Sequence, residues 1–154
     1  MEGIPPSHQE LKDRGLLHEW SRGMFTVFVS HQWLSSRHPD PHGQQLKVLR
    51  LALQGIVDGS LQVEADPISR MQGEQSGMSG RARKDVSNGF VFLDWFAIPS
   101  ITVRKTESDV KSEVLRAVRS IPAYVEVADL FVSLVPELIT DRGRALTAAE
   151  NALT

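Results

Sequence analysis

Two kinds of hydrophobic pattern alternate along the chain. Met24-Phe25-Thr26-Val27-Phe28-Val29-Ser30 is short, aromatic and β-branched, and apolar on both alternating faces, as expected of a strand covered on both sides. Phe90-Val91-Phe92-Leu93 and Leu130-Phe131-Val132-Ser133-Leu134-Val135 read the same way, the second closed by Pro136. Between them lie helical patterns. Leu46, Leu49, Leu53, Ile56 and Val57 recur at steps of one helical turn, with Asp40-Pro41 as the expected N-cap and first residue and Gly59 as the stop. From about Ser108, Val110, Val114, Leu115, Val118 and Ile121 share a face, and Pro122 is expected to kink that helix or restart it with Ser120 as cap.

Other segments are less regular. Ser7-His8-Gln9-Glu10 has the form of a capping box, predicting a helix from His8 to about Trp20, and Gly23 ends its pattern. Residues 64–89 are rich in Gly, Ser, Gln, Arg and Met with almost no apolar period, and predict a flexible insertion or a short edge strand near Leu61-Gln62-Val63. Arg144 to Leu153 is Ala-rich and reads as a last helix.

Strands alternating with helices, each strand apolar on both faces, predict an α/β fold: a parallel sheet with helices on both sides in a doubly wound, three-layer sandwich. The expected organisation is an N-terminal helical extension over 1–22 and an α/β domain over 23–154, carrying the insertion at about 64–89. Such sheets commonly hold about five strands, and only three are secure here, so the chain reads as a shortened or partial domain.

Composition narrows the function classes. A chain of 154 residues with 41% hydrophobic residues suits one domain with one core. Basic and acidic residues number seven against nine in 1–77 and ten against ten in 78–154, so neither half offers a basic face for nucleic acid or an anionic membrane. Without cysteine there is no disulfide, thiolate metal site or thiol nucleophile. No apolar run is long enough to cross a bilayer and Met1 to Ser7 lacks the order of a signal peptide, which together predict a cytoplasmic protein.

In open α/β sheets, ligands bind beyond the carboxyl ends of the strands. This selects Ser30 to Arg37, Asp94 to Ser100 and Pro136-Glu137. Ser30, His31, Trp33 and Arg37 precede a helix start and suit an aromatic base by stacking and a phosphate by the guanidinium. Equally, Trp33 plugs the core edge and His31 bonds a loop carbonyl. Asp94-Trp95 puts a carboxylate at the second strand's exit, to bind ribose hydroxyls, cap the next turn or pair with Arg. Glu113, near the start of the third helix, is the carboxylate best placed to face a cleft, although the helix dipole alone favours it there. His31, His38 and His42 make a poor metal set, because Pro39 and Pro41 interrupt them and no carboxylate group completes it. Neither a GxGxxG nor a Walker phosphate loop occurs, nor a G-x-S-x-G elbow around Ser30.

Three pieces line up in order: Val27-Phe28-Val29-Ser30-His31-Gln32-Trp33; Phe92-Leu93-Asp94-Trp95-Phe96-Ala97-Ile98-Pro99; and Ala117-Val118-Arg119-Ser120-Ile121-Pro122 running into Phe131-Val132-Ser133-Leu134-Val135-Pro136. Over roughly residues 24 to 136 they resemble the Toll/interleukin-1 receptor (TIR) domain. The resemblance implies a flavodoxin-like fold that associates with itself or with other TIR-like domains in signal transduction. In many members it also implies hydrolysis of NAD, as substrate rather than cofactor, to nicotinamide and ADP-ribose. Glu113 is then the nearest counterpart of the catalytic Glu, Trp33 or Trp95 would stack on a ring of the dinucleotide, and Arg37 would meet the pyrophosphate. The alternative is a protein-protein interaction module without turnover, using the loop after Asp94 and exposed aromatics.

Overall fold

The structure, a computed structural model, describes residues 4–34, 38–63, 70–73, 77–97, 107–139, 143 and 145–146. Its centre is a three-stranded sheet of β1 (Thr26–His31), β2 (Phe90–Leu93) and β3 (Leu130–Leu134). The order is β2-β1-β3 and both pairings are parallel, with Phe28 level with Phe92 on one side and Phe131 on the other. An open parallel sheet that begins 2-1-3 is the flavodoxin-like α/β arrangement.

Adjacent strand residues face opposite ways. On one face Val27, Val29, Leu93 and Leu134 are buried against Leu49 of α2 (Gln44–Asp58), with Leu53, Phe25, Trp95 and Phe96 packed around them. Burying each such aliphatic side chain contributes about 1.5–3 kcal/mol, so this layer holds the sheet together. On the other face Phe28 lies between Phe92 and Phe131, ring centroids 5.2 and 5.5 Å away and planes within 11° of parallel. Tyr124 of the long helix Glu107–Glu126 stacks on Phe92 at 4.4 Å, which makes this helix the third layer. Pro122 lies inside that helix and Ser120 Oγ donates to the Arg116 carbonyl at 2.9 Å, so the helix neither restarts nor takes Ser120 as a cap.

Several expected boundaries move, each for a local reason. Helix α1 (His8–Asp13) has the expected capping box, whose bonds from Ser7 hold the exposed Glu10 carboxyl below its ordinary pKa, but it stops well before Trp20. Gly15 takes φ +66°, and its N–H and that of Leu16 return to the carbonyls of Lys12 and Leu11. This is a Schellman ending, for which glycine is the usual residue. Helix α2 starts at Gln44 rather than Pro41, after a turn in which Gly43 N–H meets the Asp40 carbonyl. Asp40 still serves the helix, because its Oδ2 accepts the Leu46 N–H at 2.9 Å from outside it.

Within 64–89, Gly80–Ser87 forms a helix, α3, capped by Ser79, whose Oγ accepts from Ala82 N–H. It buries Val86 and packs beside α2. The stretch is therefore not structureless to its end, and Leu61 to Val63 form no strand. Asp94–Ala97 makes a helical turn, α4, directly after β2, and Glu107–Glu126 is α5. The last helix expected from Arg144 is contradicted where the chain is described: β4 (Leu138–Ile139) and β5 (Ala145–Leu146) pair antiparallel, separately from the main sheet, with Gly143 at φ +73° between them. Strand pairing there overrides the helix preference of an Ala-rich run. No helix among the described residues is long and apolar enough to cross a membrane.

Candidate functional site

The site is built where β1 and β2 end. His31 is the last residue of β1, and Asp94 follows β2 at the start of α4, so the parallel register brings them to one rim. His31 Nε2 and Asp94 Oδ1 are 2.7 Å apart, the His31 side chain 4% exposed and the Asp94 side chain 26%. Trp33 Nε1 donates to Asp94 Oδ2 at 3.0 Å, and the Trp95 backbone N–H donates to Oδ1 at 2.6 Å. Burial pushes the Asp94 carboxyl up in pKa, but the hydrogen bond and charge of His31, with the bonds from Trp33 and Trp95, outweigh it and hold the group below its ordinary value. An ionised carboxylate only accepts, so His31 carries its proton on Nε2.

Trp95 is fixed as well. Its Nε1 donates to the Pro6 carbonyl at 3.0 Å, the His38 ring lies 4.6 Å from it, and Trp33 meets it edge-on at 5.7 Å. The N-terminal arm is thus fastened across the rim. His8 Nδ1 donates to the Phe96 carbonyl at 2.6 Å, and His38 Nε2 donates to the Pro5 carbonyl at 3.4 Å while its Nδ1 accepts the Asp40 N–H at 3.0 Å. Those two bonds select the neutral Nε2–H form of His38. Beneath the arm, Pro5, His31, Asp40, Gln45, Trp95 and Leu134 line a cavity with room for roughly one water molecule.

Of the residues singled out in the sequence, His31, Trp33, Asp94 and Trp95 therefore meet. Ser30 does not join them: it lies on the opposite face of β1, level with Ser133. Arg37 lies outside the described residues. Glu113 belongs to α5, but its side chain lies outside the described residues. Pro5, Pro6, His8, His38, Asp40 and Gln45 were not expected at the site. For Asp40 the signal was present, since an acidic residue ahead of a helix was already a cap candidate; the arm carried none. Among the described residues no group of His, Asp and Glu is arranged to hold a metal ion.

Among the described residues, the Asp94 carboxylate oxygens, the His31 Nε2 proton and both indole N–H groups are engaged within the protein, while the indole of Trp33 is exposed. No protein-family model, curated protein or solved structure matches the chain.

Proposed function

We propose that this protein is a TIR-like protein-protein interaction module that self-associates and does not turn over NAD. The observation that carries the reading is the closed rim: four of the six side chains nominated for ligand binding, His31, Trp33, Asp94 and Trp95, bond to one another and to the N-terminal arm. A nucleotide base and ribose need a cleft of several hundred cubic ångströms, and the cavity under the arm takes roughly one water. The strand order 2-1-3 supports a TIR-like fold without deciding activity.

An association surface is at hand on the other side of the sheet. Phe131 of β3 is 54% exposed, and Val127, Val135 and Val125 near it in sequence are exposed too. The outer edge of β3 is unpaired among the described residues, and exposed apolar side chains beside a free edge favour contact with another chain.

Sedimentation velocity across a range of protein concentrations, run beside an assay for nicotinamide release from NAD, tests the proposal. Mass rising with concentration, with no nicotinamide formed, is the expected result. Nicotinamide released in proportion to protein, or a monomer at every concentration, would overturn it.

A further inference from the structure

The N-terminal arm meets the rim as a peptide ligand would. Pro5 is buried, while Ile4 before it is 62% exposed. Two ring donors of the body take the carbonyls of consecutive arm residues: His38 Nε2–H the Pro5 carbonyl at 3.4 Å, and Trp95 Nε1–H the Pro6 carbonyl at 3.0 Å. The two rings lie 4.6 Å apart. Neither proline has a backbone N–H, and the next one along, on Ser7, is bonded within the arm to the Glu10 carboxylate. Each proline ring fixes φ at about −65°, and a following proline holds Ile4 and Pro5 in extended backbone. Ser7 continues that path at φ −73° and ψ 163°. This is the polyproline II conformation, whose carbonyls make no bonds within the segment itself.

We propose that the rim is a recognition groove for an extended segment with two consecutive prolines, and that this chain's own Ile4-Pro5-Pro6 is its resident occupant, displaceable by a separate polypeptide of the same chemistry. Donors and acceptors match. The rings contribute two N–H groups, and the segment brings two carbonyls and no N–H. A non-proline residue at either position brings a donor that neither ring nitrogen can accept, and a buried donor left unpaired is costly. These contacts go to main-chain carbonyls and a prolyl ring, the features by which aromatic grooves read polyproline II segments. Among the described residues, the arm's other hydrogen bond to the body runs from His8 to the Phe96 carbonyl, and α1 packs beside α4 without burying any of its residues. So short an attachment can be exchanged without unfolding the sheet. Recognition of this kind does not depend on self-association, since a monomer offers the same groove.

Two acetylated peptides test this on the full chain: Ile-Pro-Pro-Ser-His-Gln, and its counterpart with alanine for both prolines. In a chain carrying Pro5→Ala and Pro6→Ala the arm should leave the groove, and the Trp95 indole N–H should exchange with water at least about tenfold faster. The proline peptide at millimolar concentration should restore the Trp95 indole signal in proton–nitrogen correlation spectra, and the alanine peptide should not. Undiminished protection of Trp95 in the folded variant, no response to the proline peptide, or equal responses to both peptides would overturn the proposal. Should the variant not fold, the unmodified chain decides. Its own arm competes at an effective concentration of roughly millimolar, so a nitroxide-labelled proline peptide well above that level should broaden the Leu93 and Leu134 methyl signals more than the labelled alanine peptide does. Equal broadening, or none, would overturn the proposal there.

Discussion

The two faces of the sheet are closed to different degrees. Val27 and Val29 on one face, under α2, are almost wholly covered, and the same layer takes one buried side chain from each of β2, β3 and α2, with partly buried neighbours around them. Across the strand, Phe28 is buried between two rings, but the outer ring, Phe131, is half in solvent. Close packing penalises any lost volume, so the α2 face carries stability. The aromatic face carries enough to order the strands and leaves apolar area exposed at the β3 edge. On the proposed reading, folding and association fall to opposite sides of a sheet one residue thick.

The sharpest way to break that division is to cut into the α2 face. Leu49→Ala removes a buried side chain and should cost about 2–5 kcal/mol, read from urea unfolding, with the association constant of the remaining folded protein unchanged. An equal loss of association would show that the faces are not independent. Next comes the rim. In Asp94→Asn the amide has a single oxygen, which can serve His31 and the Trp95 N–H, while its NH2 faces the Trp33 N–H donor-to-donor; because the Trp33 bond is open to solvent, urea unfolding should show a loss of about 0.5–1.5 kcal/mol, the net worth of one hydrogen bond.

Acid dependence checks the same residue. The folded Asp94 pKa lies below its ordinary 3.8, so its contribution to stability is complete above 3.8 and is lost as pH falls through the lower folded value. Asp94→Asn should flatten that part of the stability profile. If the variant and the unmodified chain lose stability in parallel below pH 3.8, the carboxylate is not ionised in the way the rim geometry requires.

Phe131→Ser probes the open face. Its stacking on Phe28 at 5.5 Å is worth about 0.5–1.5 kcal/mol, and with half the ring already in water the stability loss should fall in that range. Its effect on self-association should be far larger, measured as a monomer persisting where the unmodified chain sediments as a larger species. A cost as great as that of Leu49→Ala would mean that the aromatic face is core after all.

The same contrast explains what could be read before the structure. The parallel sheet was legible because Val27-Phe28-Val29, Phe90 to Leu93 and Leu130 to Leu134 are mostly apolar on both faces, as strands of a parallel sheet are, although burial is continuous only over Thr26 to Val29 and Val91 and Phe131 stay exposed. The rim was half legible: strand exits pick out His31, Asp94 and their neighbours. That Trp33 would reach a carboxylate 61 positions away, or Trp95 a carbonyl 89 positions away, is written in no local pattern. Helix α3 escaped because its one buried residue is Val86, so it has no periodic stripe to show. Strands of two residues such as β4 and β5 are too short to show any period.

The smallest expected effect belongs to the segment read most directly. The Ser7 hydroxyl accepts the Glu10 N–H and also donates to the Glu10 carboxylate, and that carboxylate in turn accepts the Ser7 backbone N–H. Ser7→Ala removes the hydroxyl from both of its bonds and keeps the third. Capping losses are typically about 1 kcal/mol, but α1 buries none of its residues, so most of that cost is local fraying and global unfolding should scarcely move. Hydrogen exchange separates the two: the Leu11 amide, bonded to the Ser7 carbonyl, should exchange faster, while the amides of Phe90 and Asp129, bonded to the carbonyls of Phe25 and Thr26, keep their protection. The Trp95 indole N–H should also stay protected, because it is held by Pro6 and not by the helix. If it too is released, arm and helix open as one unit, and closure of the rim depends on the capping box.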